Sequence, residues 1–288
     1  MKKTVLLVLI FISTLMLTSC GASAKVPTVN EKNRVELTQN EVKTELYKVK
    51  TTSKSVFKTL GNVEVKGKDK ESVGFDFNAY FGDSKLMVES KFNIKTKDES
   101  SSGKASIYVN DSGMYLNLST KGIDEAEAMN GKFKIDKNLF YLMLGSLDIP
   151  TVPGIDESID LKDYLLNDDL LNLVGKYEGL SFYKKDNDFR IKLEVNKDLL
   201  DKASDEVKEL VKKAFNDLEI EDIDNENIDF NAEMVIVIID DMITEAGISI
   251  SGESDGNKIK YVMSFSYIEE FPEFPKFDDY KDFTMPLI

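Results

Sequence analysis

Apolar and polar residues alternate along most of this chain, and period-2 alternation is the signature of a half-buried strand. Val63 and Val65 alternate with Glu64 and Lys66, and Val73, Phe75, Phe77 and Ala79 with Gly74, Asp76 and Asn78. Gly82-Asp83-Ser84 reads as a turn into Leu86–Val88 and Phe92–Ile94. Ser100 to Gly103 reads as a polar loop, after which Ala105, Ile107 and Val109 share one face. Asn110-Asp111-Ser112-Gly113 turns the chain into Met114, Leu116 and Leu118, and Phe133 and Ile135 make a further short strand. Successive alternating strands joined by short polar turns predict an antiparallel meander.

Helical spacing breaks this pattern in three places. Thr38-Gln39-Asn40-Glu41 has the form of a capping box, with Val42, Leu46 and Val49 following at helical spacing. That helix either runs on through Val56 and Leu60 or breaks at the β-branched Thr51-Thr52. Tyr164, Leu165, Leu170, Leu171 and Val174 suggest a second helix. Leu199, Ala203, Val207, Leu210, Val211, Ala214, Phe215 and Leu218 recur at three and four, which predicts one amphipathic helix over 199–218. A hairpin over 180–195, turning at Lys185–Asp188, separates the last two. The final third returns to strands, turning at Asp240-Asp241 and at Asp255-Gly256. Met234 to Ile239 is apolar on both faces and is expected to be covered twice. Leu139–Leu147 is apolar without alternation. The fold class is therefore α+β, mainly antiparallel β: a curved meander sheet with a few capping helices.

The first residues follow a different logic. Lys2 and Lys3 precede an apolar stretch from Val5 to Leu17, which is too short to cross a bilayer at about 20 residues. Small residues then lead to Cys20, the only cysteine. This predicts a signal peptide over 1–19. Leu17-Thr18-Ser19-Cys20 resembles the bacterial lipobox. The resemblance implies that Cys20 becomes the first mature residue, carries lipid and attaches the protein to the extracytoplasmic face of a bacterial membrane. Residues 20–37, small and polar with Pro27, are expected to be a flexible tether, 38–270 the folded domain, and 271–288 an aromatic tail.

The formal charge is −15, so nucleic acid and anionic headgroups are poor partners. Histidine is absent, which removes the commonest general base and metal ligand. With Cys20 committed to lipid, no thiol chemistry remains. Arg34 and Arg190 are the only arginines, so few bidentate anion clamps exist. A non-enzymatic protein without a cofactor is expected. Ser-x-x-Lys pairs occur at Ser55/Lys58, Ser101/Lys104 and Ser181/Lys184, but the companion motifs of acyl-transfer enzymes are missing. Asp222, Asp224, Glu226 and Glu233 match positions 1, 3, 5 and 12 of a calcium loop. Asn227 replaces its glycine and a strand replaces its second helix, so a solvated acidic loop is the plainer reading.

In the tail, Phe271, Phe274, Phe277, Tyr280 and Phe283 recur every third residue, with Pro272 and Pro275 between the first of them. Three residues per turn of polyproline II puts all five rings on one edge. Such a stripe packs on the sheet, rims an apolar cavity or docks a partner. The order helix, strands, helices, hairpin, helix, strands resembles the half-barrel lipoprotein carriers of the LolA and LppX/LprG type, in which a curved sheet wraps helices around an apolar cavity. That resemblance implies a binding module for a lipid or other apolar ligand. The other reading is a surface or envelope interaction lipoprotein, a scaffold or adhesin, with a filled core.

Overall fold

The structure, a computed structural model, describes residues 24–29, 35–50, 56–67, 71–82, 84–127, 129–136, 162, 165–166, 168–216, 229–254 and 256–283. The chain is mainly antiparallel β with short helices. It splits into two compact units. The first takes its described residues from Lys54–Ile159 and from Tyr267 onward; the second takes Ala24–Ser53 and Asp160–Ser266.

The first unit is a meander of β2 (Val56–Lys66), β3 (Ser72–Gly82), β4 (Lys85–Lys95), β5 (Ser100–Asn110), β6 (Gly113–Lys121) and β7 (Gly131–Ile135), each antiparallel to the next. A short helix, α2 (Asp124–Glu127), links β6 to β7. The turns follow side-chain chemistry: Asn110 Oδ1 accepts from the Ser112 N–H at 2.8 Å, and Gly113 takes φ 137°. One face of β3–β7 carries the core: Ala79, Leu86, Val88, Ile107, Val109, Met114, Leu116 and Ile135, all buried. One of two alternatives is excluded here, and one expectation is corrected. The stretch from Val56 is strand, paired with β3, and no helix runs through it. Ser100–Gly103 is also strand, in register with Phe92–Lys95. Its small residues fit because the Phe92 ring lies over Gly103, where a Cβ would come within 2.2 Å of Phe92 Cε1.

The second unit orders its strands β1 (Val35–Glu36), β8 (Leu180–Lys185), β9 (Asp188–Asn196), β10 (Asp229–Ile239), β11 (Met242–Ser254) and β12 (Asn257–Ile268, here to Ser266), all antiparallel. Asp240 and Asp241, both at positive φ (52° and 66°), make the β10–β11 turn. Val235, Ile236, Val237 and Ile238 are all at most 2% exposed, so β10 is covered on both faces. Each such side chain contributes roughly 1.5–3 kcal/mol by leaving water.

Helix α1 (Gln39–Lys48) opens as the sequence predicts, with Glu41 Oε2 accepting from the Thr38 N–H at 2.9 Å and from Thr38 Oγ1 at 2.7 Å. It ends at Lys48, in agreement with a break before Thr51-Thr52. In the second expected helix, Tyr164 lies outside the described residues, and the described part includes α3 (Asp168–Asn172), with Lys162 and Leu165 also helical. The amphipathic helix over 199–218 is corrected to two, α4 (Lys197–Lys202) and α5 (Asp205–Asn216). Asn196 Oδ1 caps the first through the Leu199 N–H at 3.0 Å. Ala203 then turns extended at ψ 151°, and Ser204 O accepts from the Lys208 N–H as the second begins. Val207 and Val211 form the buried face of α5, and α4 packs on β9 and β10.

Parts of the expected tether carry contacts with the sheet. Val35–Glu36 pairs with Tyr183–Lys184, and the Leu37 N–H donates to Phe182 O at 3.0 Å. Farther back, Ala24 is buried, Arg190 Nη1 donates to Thr28 O, and Pro27 lies so close to Gly247 that a Cβ there would come within 2.7 Å of Pro27 Cδ.

Candidate functional site

The register of the first unit lines up one residue from each strand. Lys58 faces Tyr80, Tyr80 faces Met87, Met87 faces Tyr108, Tyr108 faces Tyr115, and Tyr115 faces Lys134. Successive strand residues point to opposite faces, so this row lies on the face away from the aliphatic core. Met87, Tyr108 and Tyr115 are nevertheless buried, because the tail covers them.

Phe271 meets Tyr80 with ring centroids 6.4 Å apart, and Phe274 meets Tyr108 at 5.9 Å. Phe277 stacks on Tyr115 at 3.8 Å with 8° between planes and also touches Tyr108. Tyr280 closes on Tyr115 edge-on at 5.6 Å. Consecutive tail rings are 5.3, 5.9 and 5.2 Å apart. That step is close to the spacing between strands, about 4.8 Å, and well short of the roughly 9 Å that three fully extended polyproline residues cover. The rings lean together and cross the sheet roughly one strand at a time. The fifth ring departs from the expected single edge. At the sheet margin β13 (Lys281–Asp282) pairs in parallel with Phe133–Lys134, and the Phe283 N–H donates to Lys134 O at 2.8 Å. Phe283 thereby reaches Phe133 beside the core cluster.

Four lysines rim the row. Lys58 lies over Tyr80, Lys85 over Phe271, Lys132 over Tyr280 and Lys134 over Tyr115, at 5.5–6.0 Å from the ring centroids. Lys132 Nζ also binds Asp279 Oδ2 at 2.5 Å, and this bond holds the Asp279 carboxyl below its usual range. Burial, with the nearby Tyr108 and Asp279, pushes the Tyr280 hydroxyl up to about 12. Burial also raises Tyr108, whose hydroxyl donates to Glu89 Oε1 at 3.4 Å. The face can hold aromatic or apolar groups in an extended line and present positive charge along their flanks.

The second unit has a polar cleft of about 330 Å³, lined among others by Glu45, Lys48, Lys184, Asp186, Asp240 and Asp241. Glu45 accepts from Lys184 at 2.6 Å and Lys48 at 2.8 Å; although burial opposes it, these bonds lower its carboxyl pKa. The lysines are thus engaged with Glu45, and the cleft offers little apolar surface.

The other sequence candidates do not converge. Cys20, Asp222, Asp224 and Glu226 lie outside the described residues. Glu233 stands inside β10 opposite Glu194 and Ser249, and among the described residues no three carboxylate side chains group as a metal site. Ser101/Lys104 and Ser181/Lys184 both fall within strands. An i, i+3 pair in a strand points to opposite faces, so neither lysine can activate its serine. Ser101, placed in a loop by the sequence, instead donates to Gly122 O at 2.8 Å. The row of Tyr80, Met87, Tyr108 and Tyr115 escaped the sequence reading, which followed only the aliphatic face. The signal was there: each pair is equidistant from a turn, 80 and 87 about 83–84, 108 and 115 about 111–112.

No family model matches the chain, and no curated protein matches it. Among solved structures, the ywiB protein of Bacillus subtilis is 7% identical with a TM-score of 0.16, over 75% of this chain and 94% of that one. A putative AttH from Nitrosomonas europaea is 7% identical with a TM-score of 0.19, over 86% and 59%. A porin-like protein from Bacteroides uniformis is 11% identical with a TM-score of 0.20, over 77% and 100%. Likenesses at such TM-scores carry no argument about fold or function.

Proposed function

We propose that this chain is a membrane-anchored extracytoplasmic lipoprotein that acts as a non-enzymatic binding module for a lipid or other apolar ligand, its sheets curved in half-barrel fashion. The anchoring rests on Leu17-Thr18-Ser19-Cys20 after a charged start and a short apolar stretch. Two acyl chains at Cys20 give firm attachment, whereas one binds only marginally. The binding role rests on one observation: the Tyr80–Met87–Tyr108–Tyr115 row accepts a line of apolar rings while four lysines flank it. A ligand with an apolar body and an anionic end matches that chemistry.

A second reading, an interaction lipoprotein with a filled core, is favoured by the tail rings already occupying the row. Native mass spectrometry after gentle detergent extraction separates the two. A co-purified apolar molecule, lost when Tyr108 and Tyr115 are both changed to alanine, supports the binding module. A bare protein mass rejects it in favour of the interaction reading, for which cross-linking on intact cells then identifies the partner. Metabolic labelling with palmitate tests the anchor: label is expected on the parent chain and absent from Cys20→Ala, and an unlabelled parent chain rejects the placement.

A further inference from the structure

The tail is bound to the first unit in an uneven way. Among the described residues, Phe271–Lys276 makes no backbone-to-backbone hydrogen bond, and the first that ties the tail to the sheet appears only at β13. The attachment also includes ring packing, the Lys132–Asp279 pair, and Lys85 and Lys132 over the Phe271 and Tyr280 rings. The segment leaves β12 through a bend at Glu269–Glu270. Its charge also complements its seat. Glu269, Glu270, Glu273, Asp278, Asp279 and Asp282 outnumber Lys276 and Lys281, while Lys58, Lys85, Lys132 and Lys134 rim the row. On the described face, the segment that best fits this row is therefore an acidic extended peptide with a ring at every third residue, and every copy of the chain carries one.

We propose that the tail exchanges between two copies of this chain, so that Phe271–Phe283 of each lies on the Tyr80–Met87–Tyr108–Tyr115 row of the other and each β13 pairs with its partner's β7. The contacts on each row are the same in the closed monomer and in the exchanged dimer, and the difference is confined to the bend at Glu269–Glu270. Exchange of an identical element between protomers is a low-cost route to a two-fold dimer for this reason. Each row in the dimer is incomplete without the other chain. Because closed and exchanged forms share their contacts, chain concentration sets the balance between them.

The test uses full-length chains carrying Cys20→Ser, so that no native thiol competes. Lys134 and Asp282 are direct partners across the β7–β13 pair. One chain carries Lys134→Cys and the other Asp282→Cys; the two are mixed at high concentration, equilibrated and oxidised. Exchange predicts a disulfide-linked heterodimer several-fold more abundant than that from Lys258→Cys, an exposed hairpin position, mixed with the same Asp282→Cys chain. A single chain carrying both Lys134→Cys and Asp282→Cys checks folding, since its disulfide closes within one chain or between two. Heterodimer no more abundant than the Lys258→Cys control, with the double variant closing only as monomer, overturns the proposal. Heterodimer that persists undiminished when Phe277→Ala is added also overturns it, because the rings would not be what holds the tail across.

Discussion

Phe77 can pack where it does only because residue 61 has no side chain. The two face each other across β2 and β3, and a Cβ at Gly61 would stand 1.7 Å from Phe77 Cε1. Phe92 covers Gly103 in the same manner at 2.2 Å. Such ring-over-glycine pairs fix register while covering a bare stretch of backbone. The two sites differ in the freedom of the ring: Phe77 is 3% exposed, whereas Phe92 is half-buried and has solvent to turn into. Gly61→Ala is therefore expected to cost about 1–3 kcal/mol as overpacking. Gly103→Ala is expected to cost less than about 1 kcal/mol, because alanine recovers roughly 0.5–1 kcal/mol over glycine in a strand. Urea denaturation of both variants decides it, and equal costs would mean that burial of the ring does not set the penalty.

Whole elements show what the pattern of residues conveys and what it leaves out. Most of the turns were legible, because Asn, Asp and Gly at 110–113, 186–187 and 240–241 tolerate the positive φ that Gly113, Asp186, Asp240 and Asp241 adopt. The strand at Ser100–Gly103 was not legible, since serine and glycine signal a loop unless a ring from the next strand covers them. Nor was the break in the amphipathic helix. Leu199, Ala203, Val207 and Val211 keep four-residue spacing through Ala203–Ser204, so periodicity alone could not show that Asn196 caps one helix and a second starts after Ser204. If that cap holds α4, Asn196→Ala costs about 1 kcal/mol, within 0.5–2, and a change below a few tenths would show α4 to be held by packing alone. The tail was half legible: its period of three was plain, but its seat was not, because Tyr80, Tyr108 and Tyr115 occupy the face that alternation marks as polar. Phe277→Ala removes the stacked contact with Tyr115 and is expected to cost about 1–3 kcal/mol, of which 0.5–1.5 belongs to ring geometry. A loss confined to the lower end would mean that the remaining rings hold the tail without it.

Over the whole molecule, titration links the two units to pH in opposite ranges. On the acid side, Asp279 and Glu45 have carboxyls held below their ordinary values by Lys132 and by Lys184 with Lys48. Their contribution is fully present above the ordinary carboxylate range and is lost as pH falls through the lowered values. On the alkaline side, burial raises Tyr177, Tyr261 and Tyr280 from 10.0 to about 12, the first two in the second unit and the third in the first. Above pH 10 the unfolded chain releases these protons while the folded chain keeps them, so the folded state binds more protons and stability falls with rising pH. The loss opens near pH 10 and is complete past about 12. A formal charge of −15, growing more negative as lysines also deprotonate, pushes in the same direction. Phenolate absorbance should therefore show a late-titrating fraction of the 11 tyrosines in the folded protein that shifts back toward 10.0 in urea. Denaturation midpoints should drop across the same interval, and Tyr280→Phe should soften the drop for the first unit while leaving the second unchanged. A midpoint steady from pH 10 to 12, or a Tyr280→Phe variant that loses stability as steeply as the parent, would mean that the tail does not bury Tyr280 against the row.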